Sequence, residues 1–323
     1  MRFLHLFLTL CCCLATVGCS VDVSFPREIT ITQELMPLQG ITDPIDLEVK
    51  HPFLMIQNNH RDDSLFHIYH LTNQELKYAF GIKGRGPGEF VYPQILKSQL
   101  TDFLIRSNDI LYQYGVNEDG IPVFKGIIEP NYSYNLSEAA FINDTLFVVD
   151  GKDIAPSLYL FALQDELPRK TRQYRGPAYL IDPNSGSVYA NESRVALCYR
   201  YKKQIDFMDT DLNLIKQVKF KYSPTAINGD SDDIASYMVG YFGRRYLYAL
   251  FIGKSWREFR SLSSDSGVFL EVFDLDGNPV IRYRLKGLSP SYFVVDEETF
   301  TLYGTRSGIA PDDYLLMYQL IGL

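Results

Sequence analysis

The chain has 323 residues, 46% of them hydrophobic and 14% aromatic, with 39 acidic against 31 basic side chains and a formal net charge of −8. That length can bury a large core without covalent staples, and the acidic balance argues against nucleic acid as a partner. Four of the five cysteines fall within the first nineteen residues, so no disulfide framework supports the rest.

Arg2 opens a short basic start, Leu4 to Val17 is an apolar run, and small residues stand just before Cys19. This reads as a secretory signal, and the run is too short to span a bilayer core comfortably. Cleavage before Cys19 leaves Cys198 as the one thiol besides Cys19. It sits in the apolar run Val195 to Tyr199 with no basic neighbour to lower its pKa, and is predicted to be buried and inert. Residues 19–26 read as a tether and residues 27–323 as one domain.

Within that domain, short apolar signals recur: Phe53 to Ile56, Phe103 to Ile105, Leu146 to Val149, Val195 to Cys198, Leu247 to Leu250 and Thr301 to Tyr303 start between 43 and 54 residues apart. A second strand follows each, for example Leu65 to Tyr69, Gln204 to Phe207 and Tyr314 to Tyr318. Turns such as Asn117-Glu-Asp-Gly120, Asp209-Thr-Asp-Leu-Asn213 and Asp274-Leu-Asp-Gly-Asn278 then lead to a third. With a short segment ahead of each hairpin, such as Ile45 to Val49 or Tyr292 to Val295, every unit has four strands. Six such units predict an all-β, six-bladed propeller. The last unit lacks its outer strand, and Ile29 to Leu35, which alternates apolar and polar residues, is expected to supply it and close the ring.

Between the first and second units lies Gly81-Ile-Lys-Gly-Arg-Gly-Pro-Gly-Glu-Phe90, with Pro93 just behind and a faint copy at Arg175-Gly-Pro-Ala-Tyr179, 90 residues after Arg85. Glycine permits positive φ and close backbone approach and proline fixes φ, so the run specifies a shaped joint. It lacks the strand-to-helix context and the Lys-Ser/Thr ending of a phosphate loop. The segment ending at Cys19 resembles a bacterial lipoprotein signal. The glycine-rich joint, with the six units, resembles the pattern of TolB-like six-bladed propeller lipoproteins of Gram-negative bacteria and the blade turn of NHL repeats. The resemblance implies lipid on Cys19, a propeller held outside the cytoplasm and no established activity.

Connections between second and third strands, and between units, share one face and include the long stretches Gly81 to Pro93, Gly151 to Ser157, Lys221 to Ala235, Gly253 to Gly267 and Thr305 to Asp313. A ligand is expected on that face. Candidate contacts are Lys83, Arg85, Glu89, Arg175, Trp256 and Arg257. Arg85 and Glu89 could instead pair and brace the joint, and Trp256 could pack on its own loop. Arg244 and Arg245 fall in a short turn on the other face and are weaker candidates.

No metal or cofactor is expected. His67 and His70 point to opposite faces of one strand, Asn228 to Asp233 departs from the EF-hand spacing, and no nucleophile elbow or P-loop occurs. The leading expectation is a lipid-anchored, non-catalytic module that binds an unknown protein or glycan partner, touches the membrane only through its N-terminal lipid, and faces the periplasm from the outer membrane. The alternative is a periplasmic hydrolase or lyase acting on a glycan or lactone in the channel, with Asp46, Glu48, Gln94 and Glu138 as the obvious inward groups.

Overall fold

Each apolar run selected by its spacing forms the second strand of a four-stranded antiparallel meander, and its burial explains why it reads as continuous rather than alternating. Both faces of such a strand are covered by neighbouring sheets, as in Phe53–Asn58, Val195–Tyr199 and Thr301–Thr305, where every residue is buried. Fully burying one Leu, Ile or Phe is worth about 1.5–3 kcal/mol, so these runs fix the placing of the sheets.

The computed structural model describes residues 23–59, 64–86, 88–108, 110–129, 139–151, 157–173, 184–221, 233–261, 267–306 and 313–323. Two short strands lead the chain, β1 (Glu28–Thr32) and β2 (Glu34–Pro37). Blade 1 is β3 (Pro44–Lys50), β4 (Phe53–Asn58), β5 (Phe66–His70) and β6 (Glu75–Phe80), and a small parallel pair, β7 (Ile82–Lys83) with β8 (Glu89–Phe90), fills the joint that follows. Blade 2 is β9 (Gln94–Leu96), β10 (Phe103–Ser107), β11 (Ile110–Val116) and β12 (Pro122–Ile128). Blade 3 is β13 (Ala140–Phe141), β14 (Leu146–Gly151), β15 (Ser157–Ala162) and β16 (Lys170–Gln173), and blade 4 is β17 (Gly186–Ala190), β18 (Val195–Tyr199), β19 (Gln204–Met208) and β20 (Leu214–Lys219). Blade 5 is β21 (Ile234–Phe242), β22 (Tyr246–Ser255), β23 (Phe269–Asp274) and β24 (Pro279–Lys286), with a short helix α1 (Trp256–Ser261) after β22. Blade 6 has β25 (Tyr292–Asp296), β26 (Thr301–Thr305) and β27 (Tyr314–Gln319).

The first strand of each blade lies innermost; β3 meets β9 and β25, and β17 meets β13 and β21. The fold is a six-bladed β-propeller. Connections between blades, and between second and third strands, open on what is here termed the upper face; the remaining turns open on the lower face. Among the described residues no helix is long and apolar enough to cross a membrane.

Ring closure departs from expectation, because Ile29 to Leu35 is not one strand. β2 alone pairs antiparallel with β27 and completes blade 6, while β1 runs parallel to β24 as a fifth strand of blade 5. Gln33 makes the crossing: its side-chain oxygen accepts the Leu288 N–H at 2.5 Å, and its own N–H reaches the Lys286 carbonyl at 3.4 Å. Ahead of β1, Phe25 stacks on Phe220 at 5.8 Å and meets Phe273 edge-on at 5.4 Å, so Val23 and Phe25 already pack against blades 4 and 5.

Three of the lower-face turns follow one rule. Asn117, Asp209 and Asp274 each turn a side-chain oxygen onto the backbone N–H groups two and four residues on, at 2.7–3.2 Å. The residue before the fourth N–H has positive φ in all three, as Gly120, Leu212 and Gly277. Leu212 takes that conformation without being glycine because its side chain is buried among blades 3 and 4.

Candidate functional site

The predicted contacts divide between rim and joint. In the glycine-rich run, Gly81 has φ +76° with Phe66 and Phe90 against it, and a Cβ on Gly84 would lie 1.8 Å from the Glu89 carboxylate. Glu89 braces the turn by accepting the Gly86 N–H at 2.7 Å. Among the described residues it forms no ion pair with Arg85, whose side chain is exposed. Lys83 rests over the Tyr92 ring at 5.6 Å.

Trp256 and Arg257 belong to α1 rather than to an open loop. Ser255 Oγ accepts the Glu258 N–H at 3.1 Å, an N-cap, and Trp256 stacks on Phe259 one turn later at 5.4 Å. Trp256 therefore packs on its own segment, while Arg257 is exposed. Arg175, Cys19, Glu138, residues 228–232 and parts of the predicted long connections lie outside the described residues. None of Lys83, Arg85, Glu89, Trp256 and Arg257 lines the central channel.

The channel itself is lined from the inner strands. A chamber of about 420 Å³ opens among them, with Asp46, Gln94, Lys97, Asp150, Arg200 and Tyr292 as its polar and aromatic lining. On β3, Asp46, Glu48 and Lys50 alternate with buried Leu47 and Val49, and just past β9 stands Lys97. Lys97 Nζ lies 2.8 Å from Asp46 and 5.9 Å from the Tyr292 ring centroid. Glu48 is fully buried, takes Lys50 Nζ at 2.8 Å and the Ser98 N–H at 3.4 Å, and leaves its second oxygen without a partner. Burial pushes the Glu48 carboxyl above its ordinary value despite Lys50, Lys97 and Ser98. For Lys97, burial pulls the ammonium down, but Asp46 and Glu48 outweigh it and hold it above its ordinary value.

Two side chains, Gln99 and Tyr241, line both this chamber and the next one along the axis. Gln99, from blade 2, reaches across the axis to blade 5 and donates from Nε2 to the Phe242 carbonyl at 2.7 Å and to Tyr241 Oη at 3.3 Å. Burial, with Glu48 nearby, drives the Tyr241 hydroxyl pKa well up, so it stays a neutral partner. Below this septum lies a second cavity of about 480 Å³ on the lower face, lined by the turns of blades 1, 2, 5 and 6. Arg244 and Arg245 stand there, on the face the blade order predicted. Asp46 and Gln94, expected as inward groups on inner strands, line the chamber, whereas Glu48, expected with them, is buried off it; Lys97, Gln99, Asp150 and Arg200 were not expected, since only the closed ring brings them to one axis.

Among the described residues no three His, Cys, Asp or Glu side chains converge to hold a metal ion. No protein-family model matches the chain, and no curated protein matches it in sequence. Solved structures do match. A member of the DUF4221 family from Bacteroides vulgatus is similar over 89% of this chain and 95% of its own, with TM-score 0.56 and 13% identity. A Bacteroides fragilis protein described as exported is similar over 90% of this chain and 98% of its own, with TM-score 0.53 and 12% identity. The likeness is one of fold.

Proposed function

We propose that this chain is a TolB-like, lipid-anchored propeller outside the cytoplasm that binds a small ligand, or a segment of a protein or glycan partner, in the upper chamber without transforming it. The observation that carries the reading is the charge-paired chamber: Asp46 is committed to Lys97, and Gln99 spans its floor from blade 2 to blade 5. A hydrolase acting on a glycan or lactone needs carboxylates free to move protons, and an Asp46 that starts in an ion pair weighs toward recognition. Lys83, Arg85, Glu89, Trp256 and Arg257 belong to the rim that a partner meets before the chamber, and Arg175 stays a candidate from the sequence alone.

The address is a signal over residues 1–18, Cys19 carrying lipid, and a tether over 19–26 that ends where Phe25 packs between blades 4 and 5. The ring then faces the periplasm from the outer membrane. Fatty-acid labelling of cells should mark the wild-type chain and spare Cys19→Ser; equal labelling of both overturns the anchor. For the chamber, glycan and peptide panels with wild type and Lys97→Met should yield a ligand whose affinity falls about tenfold or more in the variant, the scale of one charged hydrogen bond. Panels that retain nothing overturn the binding reading.

A further inference from the structure

The lower chamber carries its own charge pattern. Two of its cations are already matched, Lys50 with Glu48 at 2.8 Å and Arg245 with Glu297 at 3.9 Å, and His51 Nδ1 is hydrogen-bonded to Asp296 Oδ2 at 3.0 Å. Glu297 is further occupied as the cap of the neighbouring turn, accepting the N–H groups of Arg244 at 2.9 Å, Arg245 at 3.0 Å and Tyr246 at 3.2 Å, and the Tyr248 hydroxyl at 3.1 Å. Gly243 makes that grip possible, because a Cβ there would lie 2.3 Å from Glu297 Oε1. Two exposed side chains in the lining keep no ionic partner among the described residues, the cation Arg244 and the anion Glu298.

His51 adds direction. The Asp296 side chain is 2% exposed and is held by Thr299 Oγ1 and the Glu298 N–H, so it fixes the imidazole with Nδ1–H as donor. Nε2 is then the ring nitrogen left to the cavity, where the side chain is 39% exposed. Gln99 and Thr101 add polar groups to the wall. The volume of about 480 Å³ falls within the roughly 300–1,000 Å³ of small-molecule sites.

We propose that this lower chamber is a second binding site, for a small zwitterion of the amino-acid or short-peptide class. Arg244 takes the carboxylate, for which its planar fork is suited, and Glu298 takes the ammonium. A purely anionic ligand leaves Glu298 opposed, and a purely cationic one leaves Arg244 opposed; a zwitterion matches both. Gln99 and Tyr241 stand between this site and the upper chamber.

The test is calorimetric titration of the full chain with the common L-amino acids and the dipeptide Ala-Ala, against propionate as the carboxylate alone and propylamine as the amine alone. At least one zwitterion should bind saturably, and both comparators should bind at least about tenfold more weakly, since each forfeits one charged contact. Arg244→Ala should weaken the zwitterion about tenfold or more and Glu298→Gln about threefold or more, both exposed changes whose folding is checked by circular dichroism. Lys97→Met, in the upper chamber, should weaken this binding less than Arg244→Ala does. Absence of saturable binding by about 10 mM, a comparator equal to the zwitterion, or unaltered binding by Arg244→Ala overturns the proposal. A zwitterion lost in Lys97→Met but kept in Arg244→Ala also overturns it, and places the ligand above the septum.

Discussion

Lys203 and Glu271 show what one residue can carry in this ring. Lys203 belongs to blade 4 and Glu271 to blade 5, with Nζ 2.7 Å from Oε1, and Tyr237 donates its hydroxyl to the other oxygen at 2.6 Å. The ammonium also lies 3.9 Å from the Phe251 centroid and 4.4 Å from Phe220. Burial draws the Lys203 ammonium below its ordinary value and pushes the Glu271 carboxyl above its own, with each partner opposing the other's shift. Removing one charge of such a pair strands the other. Glu271→Gln should therefore cost about 3–5 kcal/mol by urea denaturation. The double variant Lys203→Met with Glu271→Gln should cost less than Glu271→Gln alone, because the thioether packs between the two phenyl rings and the Tyr237 hydroxyl keeps an acceptor. A double variant less stable than the single one would show that Lys203 stabilises this seam even without the Glu271 charge.

At the scale of the element, β2 offers the sharpest test, since four residues close a ring of almost three hundred. Met36 is fully buried against blades 1 and 6 while its neighbour Leu35 is half exposed. Met36→Asp should lower stability by about 3–5 kcal/mol through an unpaired buried carboxylate, whereas Leu35→Asp should stay within about 0.5 kcal/mol. Urea midpoints of the two variants check this, and equal losses would mean that β2 does not set the closure. The same alternation made Ile29 to Leu35 readable as strand, yet not its division at Gln33, which needs the Leu288 and Lys286 backbones of another blade. Ser255 and Glu258 form a Ser-x-x-Glu start that was legible and marks α1, while the surrounding long connection masked it. β13, only Ala140–Phe141, carries too little pattern to announce an inner strand. The blade count was legible because second strands are buried on both faces; the septum was not, because Gln99 acquires its role only when blade 5 stands opposite.

Across the whole molecule, buried carboxyl groups recur at the seams between blades. Glu48 joins blade 1 to Ser98 of blade 2, Glu271 joins blade 5 to Lys203 of blade 4, and Glu297 joins blade 6 to the Arg244–Tyr246 turn of blade 5. Burial is the first cause in all three, and it raises each carboxyl above its ordinary value of 4.5 against the hydrogen bonds and cations that favour charge. The folded chain then binds more protons at these sites than the unfolded chain. Their contribution is fully present below the ordinary value and is lost as pH rises through the folded values. The carboxylates of exposed Glu75 and half-buried Asp165 and Asp209, held below their ordinary values, act with the opposite sign at more acidic pH, and Lys203, held below its own, acts on the alkaline side. The urea midpoint should therefore rise as pH is lowered from about 7 to about 5, against the usual fall for proteins whose carboxylates are stabilised as anions. Glu297→Gln should flatten that rise, since an amide at the seam has no proton to gain. A wild-type midpoint that falls over the same interval would show that the seam carboxylates are held charged by their partners, with burial the lesser force.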